Sequence, residues 1–163
     1  MPKTNLVVKL HSQVVGNVGL YYVCYRLSLM GWNAMPTARN ARGIDILAYS
    51  GDGKTKVSFQ VKALSKRAPV PLGLGLENLI ADWIVVLNGV SDFQKAPVCF
   101  VMNTPEVERL VHISGDDKHS HWLQPNKYDS DDFRERWDRI GRGDHHPGSS
   151  LPASQRLSTP KVQ

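Results

Sequence analysis

The chain has 163 residues, an apolar fraction of 41% and a formal net charge of +5. That length suits one domain with a real core and leaves too little for two comfortable ones. The composition is that of a soluble globular protein, and the mildly basic balance is compatible with a phosphate-rich partner without demanding one. No apolar run approaches a membrane span, and the N-terminus lacks a secretory pattern. Cys24 and Cys99 are isolated, in apolar surroundings and without metal-ligand spacing. The expectation is a cytoplasmic protein with reduced core thiols and no membrane partner.

After an unassignable lead-in, Ser12 reads as the N-cap of a helix running to about Met30. Val14, Val15, Val18, Tyr22, Tyr25 and Leu29 recur at helical spacing, with Val23, Leu27 and Met30 widening the apolar face. Gly16 and Gly19 each cost about 1 kcal/mol relative to alanine in a helix, which implies close approach to sheet backbone or to a ligand. Gly31 ends the helix as the residue past its C-cap. Trp32 to Pro36 forms a first strand, and Thr37 to Arg42 is a loop carrying Arg39 and Arg42.

Gly43 to Leu64 reads as a β-hairpin. Ile44, Ile46 and Ala48 alternate with Asp45, Leu47 and Tyr49; past a Ser-Gly-Asp-Gly-Lys turn, Val57, Phe59 and Val61 alternate with Ser58, Gln60 and Lys62. Side chains alternate across a strand, so Gln60 and Lys62 share one face and pairing can bring Asp45 beside them. A carboxylate, a carboxamide oxygen and an ammonium would then share one patch. Hard oxygen ligands favour a cation such as Mg²⁺, and a neighbouring lysine can orient a water or offset developing negative charge. The bland alternative is an ordinary polar face of a half-buried hairpin.

Lys66 and Arg67 follow in a connection that turns rich in Pro and Gly, with a short helical turn around Leu76 to Ile80. Ala81 to Leu87 and Pro97 to Met102 are apolar runs of buried strands, joined by a polar turn. Thr104 reads as the cap of a helix with Pro105 at its first position, and with Val107, Leu110 and Val111 inward. Ile113 to Lys127 reads as a long loop. Asp131 to Ile140 reads as a last helix with Phe133, Trp137 and Ile140 as its stripe. From Gly141 no periodicity remains, so residues 1–140 are expected to form the domain and 141–163 a disordered tail.

The Asp45 strand followed by Gln60-Val-Lys62 resembles the PD-(D/E)XK nuclease superfamily, closest to its Mrr-like and Holliday-junction-resolvase-like branches. The resemblance extends upstream to Gly16-Asn-Val-Gly19 and to Gly31-Trp32, and spans about half of the chain. It implies an α/β restriction-endonuclease-like fold: an α-β-β-β-α-β core with a mixed central sheet flanked by helices, plus an extra C-terminal strand and helices. It implies a metal-dependent nuclease that hydrolyses phosphodiester bonds, with DNA as the expected partner and RNA left open. Asp45, Gln60 and the backbone carbonyl of Val61 would hold Mg²⁺ or Mn²⁺, and Lys62 would position or polarise the attacking water. Such nucleases often work as dimers, because cutting both strands takes two sites; no interface is legible here.

One position departs from that pattern. The first helix of these nucleases often carries a Glu after the second Gly of Gly-x-x-Gly, where this chain has Leu20. Gln13 lies about two turns earlier, too far to replace it without a shift. One formal carboxylate implies weak metal binding, and a non-catalytic nucleic-acid-binding or assembly module is the competing reading. Arg39, Arg42, Lys66 and Arg67 are the candidates for phosphate contact. Asp116, Asp117, His119 and His121 read as a polar loop without zinc spacing, and Tyr22, Tyr25 and Trp32 as core rather than a base-stacking platform.

Overall fold

The computed structural model describes residues 9–38, 42–113 and 120–144. Helix α1 (Ser12–Leu29) starts one residue earlier than its sequence suggests, because the His11 imidazole accepts the Gln13 N–H at 3.4 Å and takes the cap position. Gly31, at φ +87°, turns the chain out of the helix and into β1 (Asn33–Pro36). Strands β2 (Ile46–Tyr49) and β3 (Lys56–Leu64) form the expected hairpin. A crossover containing β4 (Val70–Gly73) leads to β5 (Trp83–Asn88), followed by β6 (Val98–Asn103).

Five of these strands make one mixed sheet in the order β1-β2-β3-β5-β6. β3 and β5 run parallel, and the other neighbours are antiparallel. The sheet has two cores because both of its faces are covered. On one face α1 packs through Val15, Val23 and Leu27 against Ile46, Phe59 and Val85. On the other, Ile84, Val86, Phe100 and Met102 meet Val70, Leu123 and Tyr128. β5 is buried on both sides, as its unbroken apolar run requires.

The phase of α1 differs from the stripe expected above. Val15, Gly19, Val23 and Leu27 face the sheet, whereas Val14 (43% exposed), Val18, Tyr25 (58%) and Leu29 (62%) face outward. Glycine is the reason. A Cβ on Gly19 would overlap that of Ala63, so the helix comes closest to β3 where it has no side chain. The anticipated close approach therefore occurs at Gly19, while a Cβ on Gly16 would meet nothing within 4 Å.

The C-terminal part departs further. Asn103, not Thr104, caps α2 (Thr104–Leu110), in a reciprocal capping box with Glu106. Residues 76–80 hold one hydrogen-bonded turn, Leu79 N–H to the Leu76 carbonyl. In place of a continuous loop over 113–127, β7 (His112–Ile113) and β8 (His121–Leu123) join β4 in a second sheet of order β4-β8-β7, followed by α3 (Pro125–Tyr128).

The expected helix over 131–140 is irregular chain ending in a 3₁₀ turn (Trp137–Ile140). Phe133 joins one core and Trp137 the other, which a single helical stripe cannot do. The segment instead covers the edge of β6: the Val101 N–H donates to the Phe133 carbonyl and the Glu135 N–H to that of Cys99.

The packed structure also runs past the expected boundary at Ile140. Trp32 Nε1 donates to the Gly141 carbonyl at 3.1 Å, and Gly51 N–H to that of Gly143 at 2.7 Å. Residues 145–163 lie outside the described ones. No helix among the described residues is long and apolar enough to cross a membrane.

Candidate functional site

The site is built just before β2 begins. The β2–β3 ladder runs from Tyr49–Lys56 to Ile46–Phe59. One residue earlier, beyond the last ladder pair, Asp45 donates its N–H to the Phe59 carbonyl at 2.8 Å. Its side chain then continues the ladder in place of backbone: Oδ2 accepts the Val61 N–H at 2.7 Å. In an extended strand the N–H and C=O of one residue point to the same edge. The Val61 carbonyl therefore projects past the last ladder pair, on the Asp45 side.

Asp45 is held there by its own approach loop. Thr37 donates its N–H to the Asp45 carbonyl at 2.9 Å and its hydroxyl to the Ile44 carbonyl at 2.6 Å. Gly43 adopts φ +69° and sits where a Cβ would overlap the Asn78 carbonyl oxygen, so both backbone shape and space restrict this position to glycine.

Val57, Phe59, Val61 and Ala63 pack toward α1, which leaves Gln60 and Lys62 on the opposite face. Parallel pairing places them beside Ile84 and Val86 of the second core. Gln60 is only 9% exposed, and its Oε1 is buried without a hydrogen-bond partner among the described residues. An orphaned acceptor of this kind costs about 1–3 kcal/mol. Burial also lowers the Lys62 pKa, and the Asp45 charge restores part of the loss. Among the described residues no ion pair or hydrogen bond holds the Lys62 ammonium.

Two adjoining pockets give access to this end of the sheet. One, of about 200 Å³, is lined by Gly16, Asn17 and Leu20 of α1, by Thr37 and Ala38, and by Asp45 and Val61. The other, of about 240 Å³, runs along Val61 to Leu64 and includes Lys62. Gly16 and Val61 border both. Leu20 thus lies in the wall facing Asp45. Asn17, three residues before it, also lines the pocket and is polar; the sequence carried it only as part of Gly16-Asn-Val-Gly19, and its spacing from Leu20 was the available signal.

The donor set is a carboxylate, a carboxamide oxygen and a backbone carbonyl, which suits a hard divalent cation. Among the described residues there is no cluster of three or more His, Cys, Asp or Glu side chains able to hold a metal. His121 is part of β8, and the remainder of the Asp116–His119 group lies outside the described residues.

The basic candidates divide. Arg42 is exposed and donates to Asn78 Oδ1, and Lys66 is exposed just beyond β3. Arg67 is tied to Asp129 at 2.6 Å, a carboxylate that also pairs with Arg134. Arg39 lies outside the described residues. Tyr25 is exposed rather than core, while Trp32 is buried.

No protein-family model matches this chain, and no curated protein does. Among solved structures it is similar to that of a bacterial homing endonuclease, I-Ssp6803I. The TM-score is 0.51 and the identity 15%, over 80% of this chain and 93% of that one. At that identity the likeness is one of fold: a mixed α/β domain with a central mixed sheet flanked by helices, similar to that of a nuclease.

Proposed function

We propose that the chain is a metal-dependent nuclease of the PD-(D/E)XK type that hydrolyses phosphodiester bonds in DNA. The observation that carries this reading is the buried Gln60 oxygen, without a hydrogen-bond partner among the described residues, on the strand face it shares with Lys62, whose ammonium feels the Asp45 charge. The similarity in fold to a homing endonuclease supports it.

Asp45, Gln60 and the Val61 carbonyl would hold Mg²⁺ or Mn²⁺, whose charge, when bound, polarises the phosphate and acidifies a water. The bond from Val61 N–H fixes Asp45 Oδ2, so the carboxylate is oriented before any ligand arrives. Lys62 donates hydrogen bonds to the attacking water or to a phosphate oxygen, and its positive charge offsets the negative charge carried by the phosphoryl oxygens in the transition state. Its partial burial strengthens that interaction, because fewer waters screen it. Arg42 and Lys66, with Arg39, would meet flanking phosphates; Arg67 would first have to share its guanidinium with Asp129.

Leu20 in the pocket wall favours one competing reading, a nucleic-acid-binding module without catalysis. Incubation with plasmid, single-stranded and branched DNA in Mg²⁺ or Mn²⁺, with Lys62→Ala as control, separates the two. Cleavage abolished by Lys62→Ala supports the nuclease. Salt-dependent DNA binding without cleavage supports the module.

A further inference from the structure

The pocket between α1 and Asp45 has one polar side chain on its helix wall. Of the three α1 residues that line it, Gly16 has no side chain and Leu20 is apolar, which leaves Asn17. Asn17 is exposed, and among the described residues its side-chain amide makes no hydrogen bond. On the other walls the Thr37 hydroxyl already donates to the Ile44 carbonyl, and Asp45 Oδ2 already accepts the Val61 N–H. The helix lies close against the strand here, because Gly19 abuts Ala63 and Val61 one half-turn further along.

A pocket of about 200 Å³ exceeds one cation by several waters, each occupying about 30 Å³. Waters bound to a divalent cation point their protons outward, and those protons need acceptors. Leu20 offers none. We infer that Asn17 is a positioning residue of the proposed metal site, its carboxamide oxygen accepting from the cation's water shell on the α1 side. This rests on the nuclease reading above and adds a residue to it. The role resembles that of an outer-shell partner: the residue orders water and sets metal affinity, and it contributes nothing to the fold.

The test is calorimetric titration of Mn²⁺ alone into the full chain and into Asp45→Asn, Asn17→Ala and Asn17→Asp, with thermal unfolding of each in the absence of metal. Asn17→Ala is expected to weaken Mn²⁺ affinity about tenfold, the lower end for outer-shell partners. Asn17→Asp is expected to tighten it, because a second carboxylate joins the site. Neither should lower the unfolding midpoint, since the Asn17 side chain has no hydrogen bond to lose among the described residues and alanine is the better helix former. If Asp45→Asn loses Mn²⁺ while both Asn17 variants bind as wild type does, Asn17 has no such role and the nuclease reading survives. If wild type binds no Mn²⁺, or Asp45→Asn binds it equally, the metal site itself falls and takes the role of Asn17 with it.

Discussion

Two carboxylates grip β3 in the same way and to different ends. Asp82, just before β5, accepts the Ser58 N–H and the Ser58 hydroxyl, each at 2.7 Å, and its own N–H donates to Ser58 Oγ at 3.0 Å. Asp45, just before β2, accepts the Val61 N–H at 2.7 Å. Ser58 and Gln60 lie on the same face of the strand and are equally buried, 8% and 9% exposed. Exposure therefore does not separate the two regions; satisfaction does. Around Asp82 the polar atoms bond one another and lock two strands together. On the strand face that continues past Ser58, the Gln60 oxygen and the Lys62 ammonium make no hydrogen bond among the described residues. Folding alone does not repay a buried acceptor without a donor, and the proposed metal site would supply the Gln60 oxygen with a partner.

The sharpest way to break this comparison is to neutralise each carboxylate in turn. Asp45→Asn should reduce metal-dependent cleavage about 10³-fold, the scale of losing a main electrostatic contributor, and cost less in urea unfolding than Asp82→Asn, because Asp45 accepts one bond from β3 and Asp82 two. Asp82→Asn should do the reverse, keeping cleavage and losing about 1–3 kcal/mol of stability. Plasmid nicking and urea titration of both variants read the two effects. Identical behaviour of the pair would erase the distinction drawn between them.

A smaller effect is expected where packing, rather than hydrogen bonding, holds the Asp45 end. Gly19→Ala drives a methyl into Ala63 and should cost about 1–3 kcal/mol as overpacking. Ala63→Gly in the same chain should recover much of it. A double-mutant cycle by chemical denaturation measures the coupling, and additive costs would mean that α1 does not bear on β3 at this point.

Next in size is a pair of substitutions on one strand face. Gln60→Met removes the orphaned acceptor and should stabilise the metal-free fold by about 1 kcal/mol, while Ser58→Ala should destabilise it by a similar amount. Opposite signs in denaturant midpoint sharpen the contrast. A loss of stability in both would show that Gln60 has a structural partner after all.

The smallest effect is a pH dependence from Lys62. Burial depresses its folded-state pKa below the ordinary 10.5. Between those two values the unfolded chain binds more protons than the folded one, so this group makes stability rise with pH across that window. Lys62→Met removes the contribution. The variant should exceed wild type in stability at neutral pH, with the gap narrowing as pH climbs toward 10.5. A gap that widens would mean that Asp45 outweighs burial at this lysine.

Much of the fold around the site was legible because it depends on local alternation. Val57, Phe59 and Val61 against Ser58, Gln60 and Lys62 has a period of two, and a strand turns that period directly into two faces. The apolar runs of β5 and β6 were legible because a strand covered on both faces needs apolar residues at every step. The phase of α1 was not. Its apolar residues encircle the helix with a single charge, Arg26, to mark an outer side, and the true contact line passes through a glycine that a hydrophobic stripe does not count. The short strands β4, β7 and β8 were equally hidden. β4 carries Pro71 and Gly73, poor strand residues that hold there through pairing with β8. The segment 131–140 has a helical pattern of Phe133, Trp137 and Ile140, yet pairing with the edge of β6 wins over that propensity.

For the site itself, the chain's own pattern determined that Gln60 and Lys62 share a face and that Asp45 opens the paired strand. Those facts need only the geometry of one hairpin. Tertiary structure decided which polar atoms found partners. Asp129 captured Arg67, Glu135 collected the Cys99 N–H, the Trp137 indole and Arg26, and Asp82 closed on Ser58, whereas the Gln60 oxygen closed on nothing. It also decided that Asn17, rather than Leu20, offers a polar group to the Asp45 pocket. The physical reason is range. Alternation acts over neighbouring residues and is written in them, while a hydrogen-bond partner or a helix wall arrives from a distant part of the chain, so its presence or absence exists only once the chain has folded.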